Sequence, residues 1–460
     1  VWAFVIFSIA SRGLSVILFH NQLLNREWGF YTLVDRWLHG YGYSFAAQLG
    51  CASAYRSPGF LFFLSGLYKV FDPSNTWAQA TVQNIVVVGA LWLTYVVGKR
   101  FVGSRAALVG AFLMACYPYT FYHYTQYYHT FLQAFFLLLV MWCVLRLDET
   151  RRVKYAFASG LAIGALAYVQ GTILAATPFI ALWIMWRCWP NWKRAVLFVA
   201  IIAVCSAGLI APWTYRSWKI FHHFIPLTTD VGLALFKANN ENIGVLTALG
   251  YPQETVGEPT TSSTNPFYLQ YRLPAEREAS LTKQGWLRPS IFWTEWHPRE
   301  PTGRVDTCTA LGPLNEYEYN QYWNTKANDW IRANWRTEGW KLQLQKVSTF
   351  WRPGLFPFIK TGAPWSFAGS PLKEWLARMS VAVSMFVVIV FGWIGVLCAL
   401  RRREKTVWLP LTLFLVFTFL HSMLAGYTKY RIPLDHLMVA YAGWSLIQIW
   451  DWLRGRSSPS

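Results

Sequence analysis

Residues 79–100 read QATVQNIVVVGALWLTYVVGKR. The stretch carries no charge until Lys99 and Arg100. A helix of about twenty such residues is roughly 30 Å long, the thickness of a bilayer's hydrocarbon core. The stretch is therefore a membrane span with a basic end, and comparable runs lie on both sides of it. Spans are expected over 1–19, 79–98, 106–123, 128–146, 155–172, 173–187, 195–213, 376–400, 407–425 and 433–452, with the pair near 173 open to a bent hairpin. Composition agrees: 54% of the 460 residues are hydrophobic and 14% are charged, where a soluble chain carries about a quarter charged. The expected class is an all-α polytopic membrane protein with about ten or more transmembrane helices. Residues 1–19 contain Arg12 and lack a small-residue cleavage site, so they read as a first span and not as a signal peptide.

The net charge of +19 would point a soluble protein towards nucleic acid. Here the cations sort by loop. They cluster at Lys99, Arg100 and Arg105, at Arg146, Arg151, Arg152 and Lys154, and at Arg187, Lys193 and Arg194. Further clusters are Arg401 to Arg403 with Lys405, and Arg454 with Arg456. Each falls at a cytoplasmic span end if the N-terminus is inside, which is the positive-inside pattern. No nucleic-acid partner is expected. Membrane lipids are, with both termini cytoplasmic.

That topology sends residues 20–78, a segment near 214–375 and short loops near 125, 171 and 428 to the outer side. Three parts follow: an N-terminal transmembrane module, 1–213, with its first outer loop at 20–78; an outer segment, 214–375; and C-terminal transmembrane helices, 376–460. The apolar stretch 58–71 is short for a span and reads as an interfacial or re-entrant helix, with Pro58 suited to its first turn. In the outer segment, Asn315–Trp351 repeats Tyr, Trp, Ile and Leu at helical spacing. The chain has no internal repeat and no low-complexity tract. Five of the seven cysteines lie in or beside spans as small apolar residues. Cys51 and Cys308 fall outside, where an oxidising compartment allows a disulfide.

The first outer loop holds REWGFYTLVDRWLHGYGYS, Arg26–Ser44, an amphipathic stretch beside the membrane. Its carboxylates Glu27 and Asp35 are eight residues apart, so on a straight helix they point within about 80° of each other. They can cap, pair with Arg26 or Arg36, or act on a substrate. Cations also gather outside, where topology does not call for them: Arg56 at the start of the 58–71 helix, Arg216 and Lys237 after the 195–213 span, and Lys429 with Arg431 before the last span. A cationic, aromatic-lined outer cavity suits a lipid-linked phosphate. Asn239, Asn240 and Glu241 are candidates for sugar hydroxyls, with turn formation as the plain alternative.

These segments occur in a telling order. GYGYS (Gly40–Ser44) is followed by YRSPGF (Tyr55–Phe60), APWTYRSW (Ala211–Trp218), FIPLTTD (Phe224–Asp230) and NNEN (Asn239–Asn242). Then come NEYEY (Asn315–Tyr319), FWRP (Phe350–Pro353) and YRIPLD (Tyr430–Asp435). The chain resembles the GT-C superfamily of membrane glycosyltransferases along nearly its whole length. The nearest branch is the bacterial one related to protein O-mannosyltransferases and lipid A aminoarabinose transferases. The resemblance implies interfacial helices in the first outer loop, a mixed outer domain, and inverting transfer from a polyprenyl-phosphate sugar to a hydroxyl acceptor at the outer face. It gives Glu27, three before Phe30, the general-base role, with Asp35 second. It implies donor-phosphate contacts for Arg56, Arg216, Lys237 and Arg431. Besides Arg26, which stands one residue before Glu27 where the family often carries Asp, two positions depart from the family's pattern: His129 stands where an acid is usual, and Gln170 where a cation is usual. Both are candidates for acceptor, sugar or phosphate contact. No DxD-like pair marks a metal site, and a divalent metal as helper stays open. The rival classes are a lipid-linked oligosaccharide ligase or polymerase and a lipid or glycan transporter.

Overall fold

The structure is a computed structural model that describes residues 1–24, 30–44, 52–240, 260–261, 269–270, 316–353, 371–424, 426 and 428–455. Helices form wherever an apolar run was expected. They are α1 (Trp2–Phe19), α2 (Phe30–Leu38), α3 (Pro58–Tyr68), α4 (Thr76–Val102), α5 (Ser104–Ala115), α6 (Pro118–His123), α7 (Thr130–Thr150) and α8 (Val153–Val169). After these come α9 (Ile173–Cys188), α10 (Trp192–Phe221), α11 (Val231–Ala238), α12 (Glu316–Asn334), α13 (Trp340–Trp351), α14 (Pro371–Arg401), α15 (Trp408–Met423) and α16 (Ile432–Leu453). A two-residue antiparallel pair, β1 (Thr260–Thr261) with β2 (Leu269–Gln270), is the sheet among the described residues. Among the described residues, six helical segments are long and apolar enough to cross a membrane: α1, α4, α7, α10, residues 379–401 of α14, and 405–423 including α15. The protein is an integral membrane protein, and its described regular structure is helical apart from that short pair.

The expected 106–123 span is two helices. The backbone breaks at Cys116 and Tyr117, and Pro118 opens α6, where its missing N–H costs nothing. This break explains the charge in the first span. The buried Arg12 side chain crosses from α1, and its Nη2 donates to the Ala115 carbonyl at 2.9 Å and its Nη1 to Thr120 Oγ1 at 3.3 Å. Carbonyls freed at a helix end must find a donor when no water is at hand. Near 173 the chain makes two helices, α8 and α9, separated at Gln170 to Thr172.

The bundle centres on α16, which packs on α14, α5, α4 and α7. Its crossing with α5 is backbone on backbone. A Cβ at Gly110 would strike the Val439 carbonyl, and one at Gly443 would strike the Ala106 carbonyl. Close approach of this kind is how helices associate where lipid supplies no hydrophobic drive. The α3 helix has eleven residues, about 16 Å, too short to cross. Gly59 sets it against the backbone of Tyr168 at the end of α8.

The basic clusters meet at one end of the bundle, where α4, α7, α9 and α16 finish. Asp148 bridges Arg151 at 2.8 Å and Arg187 at 2.6 Å, and Arg105 reaches Asp451 at 3.4 Å. Glu149 holds both Arg100 and Arg146. The opposite end gathers the start of α3, the start of α7, the α8–α9 link, the start of α11 and the approach to α16.

Candidate functional site

At that opposite end lies a cavity of about 200 Å³. Its wall includes Phe30 from α2, Tyr55, Arg56 and Ser57 before α3, and Tyr128 with His129 before α7. Gln170 to Thr172 follow from the α8–α9 link, then Thr228 and Asp230 before α11, His421 from α15, and Tyr430 before α16. Every polar group listed comes from a helix end or a link. In a membrane protein the middle of a helix satisfies its own backbone and faces lipid or core, so polar side chains collect where helices stop.

Arg56 is the cation on this wall. Its guanidinium lies 3.7 Å from Asp230 Oδ2 and stacks over the Tyr55 ring at 4.8 Å. Asp230 also accepts from Thr228 Oγ1 at 2.7 Å. A second cation stands just behind: the Lys429 ammonium is 5.3 Å from the Tyr128 ring and 5.1 Å from the Tyr430 ring. In the same lining, His129 Nε2 meets Gln170 Oε1 at 2.9 Å. His129 is the residue just before α7 and is buried. Burial is the main force holding its imidazole neutral, down to about 3; the Gln170 hydrogen bond opposes this, and Arg56 and Lys429 add to it.

Two side chains fasten this wall from outside the cavity. The buried Glu316 carboxylate, first residue of α12, accepts from Ser53 Oγ at 2.7 Å, from the Ala54 N–H at 2.7 Å and from the Thr229 hydroxyl. Burial raises its pKa, against those three donors and Arg216. Arg216 donates to the Ser53 carbonyl at 2.9 Å and the Tyr43 carbonyl at 3.3 Å. Ala54 is two residues from Arg56, and Thr229 is next to Asp230. The two staples thus set the spacing of the Arg56–Asp230 pair.

The residues expected from sequence separate into groups. Arg56, His129 and Gln170 line the cavity together. Asp35 sits on α2 away from the lining residues, with its carboxylate 3.3 Å from His39 Nδ1. Arg216 is spent on loop carbonyls. Arg431 is fully buried: it pairs with Asp435 at 2.9 Å and donates to the carbonyls of Phe350 at 2.6 Å and Arg352 at 3.3 Å. Asn239 accepts from Lys346 at 2.8 Å and Gln343 at 2.9 Å and donates to the Met423 carbonyl at 2.7 Å, while Asn240 caps the Phe236 carbonyl at 2.9 Å. Asn239 thus ties α11 to α13 and the end of α15, and neither asparagine lines the cavity. Glu27, Glu241, Cys51, Cys308 and the side chain of Lys237 lie outside the described residues. Asp230, Glu316 and Thr172 were not singled out from sequence. Asp230 and Glu316 stood inside quoted motifs, and Asp230 directly precedes a helix, a placement that on sequence alone reads as an N-cap. Among the described residues no three His, Cys, Asp or Glu side chains gather to hold a metal.

Residues 55–215 match the model of the dolichyl-phosphate-mannose-protein mannosyltransferase family. The matched stretch carries Arg56, His129, Gln170 and Thr172. It bears out the resemblance to GT-C membrane glycosyltransferases. A search of curated proteins found no significant match. Among solved structures, the archaeal oligosaccharyltransferase AglB from Archaeoglobus fulgidus, in complex with an inhibitory peptide and a dolichol-phosphate, is 14% identical. That match covers 97% of this chain and 51% of that one at a TM-score of 0.49. ArnT from Cupriavidus metallidurans, bound to undecaprenyl phosphate, is 10% identical over 98% of this chain and 81% of that one, at a TM-score of 0.39. The chain spans about half the length of the oligosaccharyltransferase.

Proposed function

We propose that the protein is an inverting glycosyltransferase that moves a sugar from a polyprenyl-phosphate donor to a hydroxyl acceptor at the outer face of a bacterial inner membrane. The observation that carries this reading is the pairing of Arg56 and Lys429 around one aromatic cavity at the bundle end away from the basic clusters. Cations there are not explained by topology. They suit a phosphate, and Tyr55, Tyr128 and Tyr430 beside them suit a sugar face or a prenyl stem.

In this mechanism the donor phosphate displaces Asp230 from Arg56 and takes a charge-assisted contact. As the bond from C1 to the phosphate oxygen breaks, the charge gathering on the leaving lipid phosphate is met by Arg56 and Lys429. Glu27 takes the proton of the acceptor hydroxyl while that oxygen attacks C1 from the opposite face. Glu27 is three residues from Phe30, so its backbone is at most about 11 Å from a residue of the cavity wall. We assign acceptor selection to the segment 214–375, which lies in sequence between the transmembrane modules 1–213 and 376–460.

A transporter would carry charges within its spans. Arg12 and the Arg431–Asp435 pair are such charges, but backbone carbonyls and neighbouring side chains occupy them, which favours the enzyme reading. The test is release of polyprenyl phosphate from a panel of polyprenyl-phosphate sugars by the purified protein in lipid, with membrane extract as acceptor source. Glu27→Gln should lower release by about a hundredfold or more. Equal release by both proteins would remove Glu27 from the base role.

A further inference from the structure

The cavity lining holds two polar atoms that the proposed transfer does not use. His129 Nδ1 and Thr172 Oγ1 are each shielded from solvent, and neither has a hydrogen-bond partner among the described residues. Both residues line the cavity, as does Gln170, which is bonded to His129 Nε2. An unmade hydrogen bond on a buried polar group costs about 1–3 kcal/mol. Two such groups on one wall of one cavity are what a site has before its ligand arrives.

The chemistry of the pair narrows the ligand. With Nε2–H donating to Gln170 Oε1, Nδ1 presents a lone pair and needs a donor. A carboxylate or second phosphate has none to give. An ammonium would meet Arg56 and Lys429 in a cavity whose carboxylate, Asp230, is already held by Arg56 and Thr228. A neutral hydroxyl donates its one proton to His129 Nδ1 and accepts from Thr172 Oγ1, with no charge to desolvate.

Resting on the transfer reading above, we infer that His129 and Thr172 form a hydroxyl-recognising subsite for the sugar ring of the lipid-linked donor, with Gln170 as the positioning residue that holds the His129 tautomer. Phosphate recognition at Arg56 and sugar recognition at His129 and Thr172 are then separable functions within one cavity. Such a subsite discriminates strongly against a ligand that lacks the hydroxyl, because the wall groups are then left unpaired.

The experiment compares binding of bare undecaprenyl phosphate with undecaprenyl phosphate carrying mannose, glucose, galactose or arabinose, using the full chain in lipid nanodiscs. The wild type should prefer at least one sugar-bearing lipid. His129→Ala and Thr172→Val should each reduce that preference about 3- to 10-fold and leave bare undecaprenyl phosphate binding unchanged. His129→Asn replaces the alanine variant if the latter does not fold. Gln170→Glu supplies the readout a structural role would not move. A carboxylate at 170 still accepts from Nε2–H but favours the imidazolium, so the sugar preference should survive at pH 8 and fall on acidification, while the wild type holds it from pH 8 to 5.5. The other titratable groups facing the cavity, Tyr55, Arg56, Tyr128, Asp230, His421, Lys429 and Tyr430, are common to both proteins, so the difference isolates residue 129. Wild-type preference for none of the sugars, or an unchanged preference in both His129→Ala and Thr172→Val, overturns the subsite. Arg56→Ala should weaken every lipid equally. If it weakens none, the phosphate reading fails, and that outcome is distinct from failure of the subsite.

Discussion

Removing the Glu316 carboxylate should release the first outer loop from the cavity wall without unfolding the bundle. Glu316→Ala strands three donors: the Ser53 hydroxyl, the Ala54 N–H and the Thr229 hydroxyl. Hydrogen bonds to a charged group contribute about 1.5–3 kcal/mol each. The two hydroxyls can rotate towards other acceptors or water, but the Ala54 N–H cannot. Against the loss stands the cost of keeping a carboxylate buried, which the variant no longer bears. The balance is about 3 kcal/mol, or roughly a hundredfold in the equilibrium between the held and released loop. Hydrogen–deuterium exchange in nanodiscs reads this at two reporters, the Ala54 N–H itself and the Thr229 N–H, which bonds the Ala54 carbonyl at 3.0 Å. Both should exchange about a hundredfold faster in Glu316→Ala, with peptides of α7 and α16 unchanged. Glu316→Gln keeps an acceptor in place. Because burial raises the Glu316 pKa, the fold disfavours the charge, so the neutral isostere should lose only about 1 kcal/mol. Unchanged exchange at residues 52–54 in Glu316→Ala would refute the latch.

His129 gives a pH prediction. Its folded pKa is pushed down to about 3 against an ordinary value of 6.5, so the unfolded chain binds the extra proton first as pH falls. Its contribution is complete above pH 6.5 and lost as pH drops from 6.5 towards 3, at up to about 1.4 kcal/mol per pH unit; thermal melts between pH 7 and 4.5 should therefore show a shallower decline in His129→Asn than in wild type. Arg431→Met leaves Asp435 buried without its partner and should destabilise by about 3–5 kcal/mol, whereas Arg431→Met with Asp435→Leu should recover most of that in the same melts. Gly110→Ala drives a methyl into the Val439 carbonyl and should lower the melting temperature clearly, by about 1–3 kcal/mol of overpacking. Gly13→Ala, where nothing lies within 4 Å of the new methyl, should not.

The bundle was legible because its signal is long. Twenty apolar residues can be read from composition alone, and each expected span has a helix. The break inside 106–123 was hidden, since Cys116 and Tyr117 are as apolar as their neighbours, and only Pro118 marked it. Arg12 read as an isolated charge because its partner carbonyl is 103 residues away. The same limit divides the site. Arg56, His129 and Gln170 were visible as polar residues at helix ends and do meet in one cavity. Arg216, Arg431 and Asn239 looked alike by that criterion, yet they face carbonyls and side chains brought by α13, α15 and the first loop. A sequence shows that a cation stands at the right end of a span; it does not show what that cation faces.

This division has a physical origin in the membrane. A spanning helix must satisfy its backbone internally, so its middle has little to offer chemistry. A site for an amphiphilic lipid phosphate must meet both the apolar chain and the charged head, and helix ends are where those environments join. Once the ends are crowded together, their stray carbonyls and N–H groups need partners too, and the same Arg, Asn and Glu side chains serve that need. Arg431 closing the end of α13 and Glu316 closing the first loop are therefore part of what makes the cavity, because each fixes a segment that delivers a wall residue. Arg431 holds the approach to α16, on which Lys429 and Tyr430 stand, and Glu316 holds the links that carry Arg56 and Asp230. Loss of a cation that closes the structure and loss of one that meets the substrate would both abolish activity. Only the second would leave the fold's melting temperature and exchange pattern in place, and that difference separates Arg56 and Lys429 from Arg216 and Arg431.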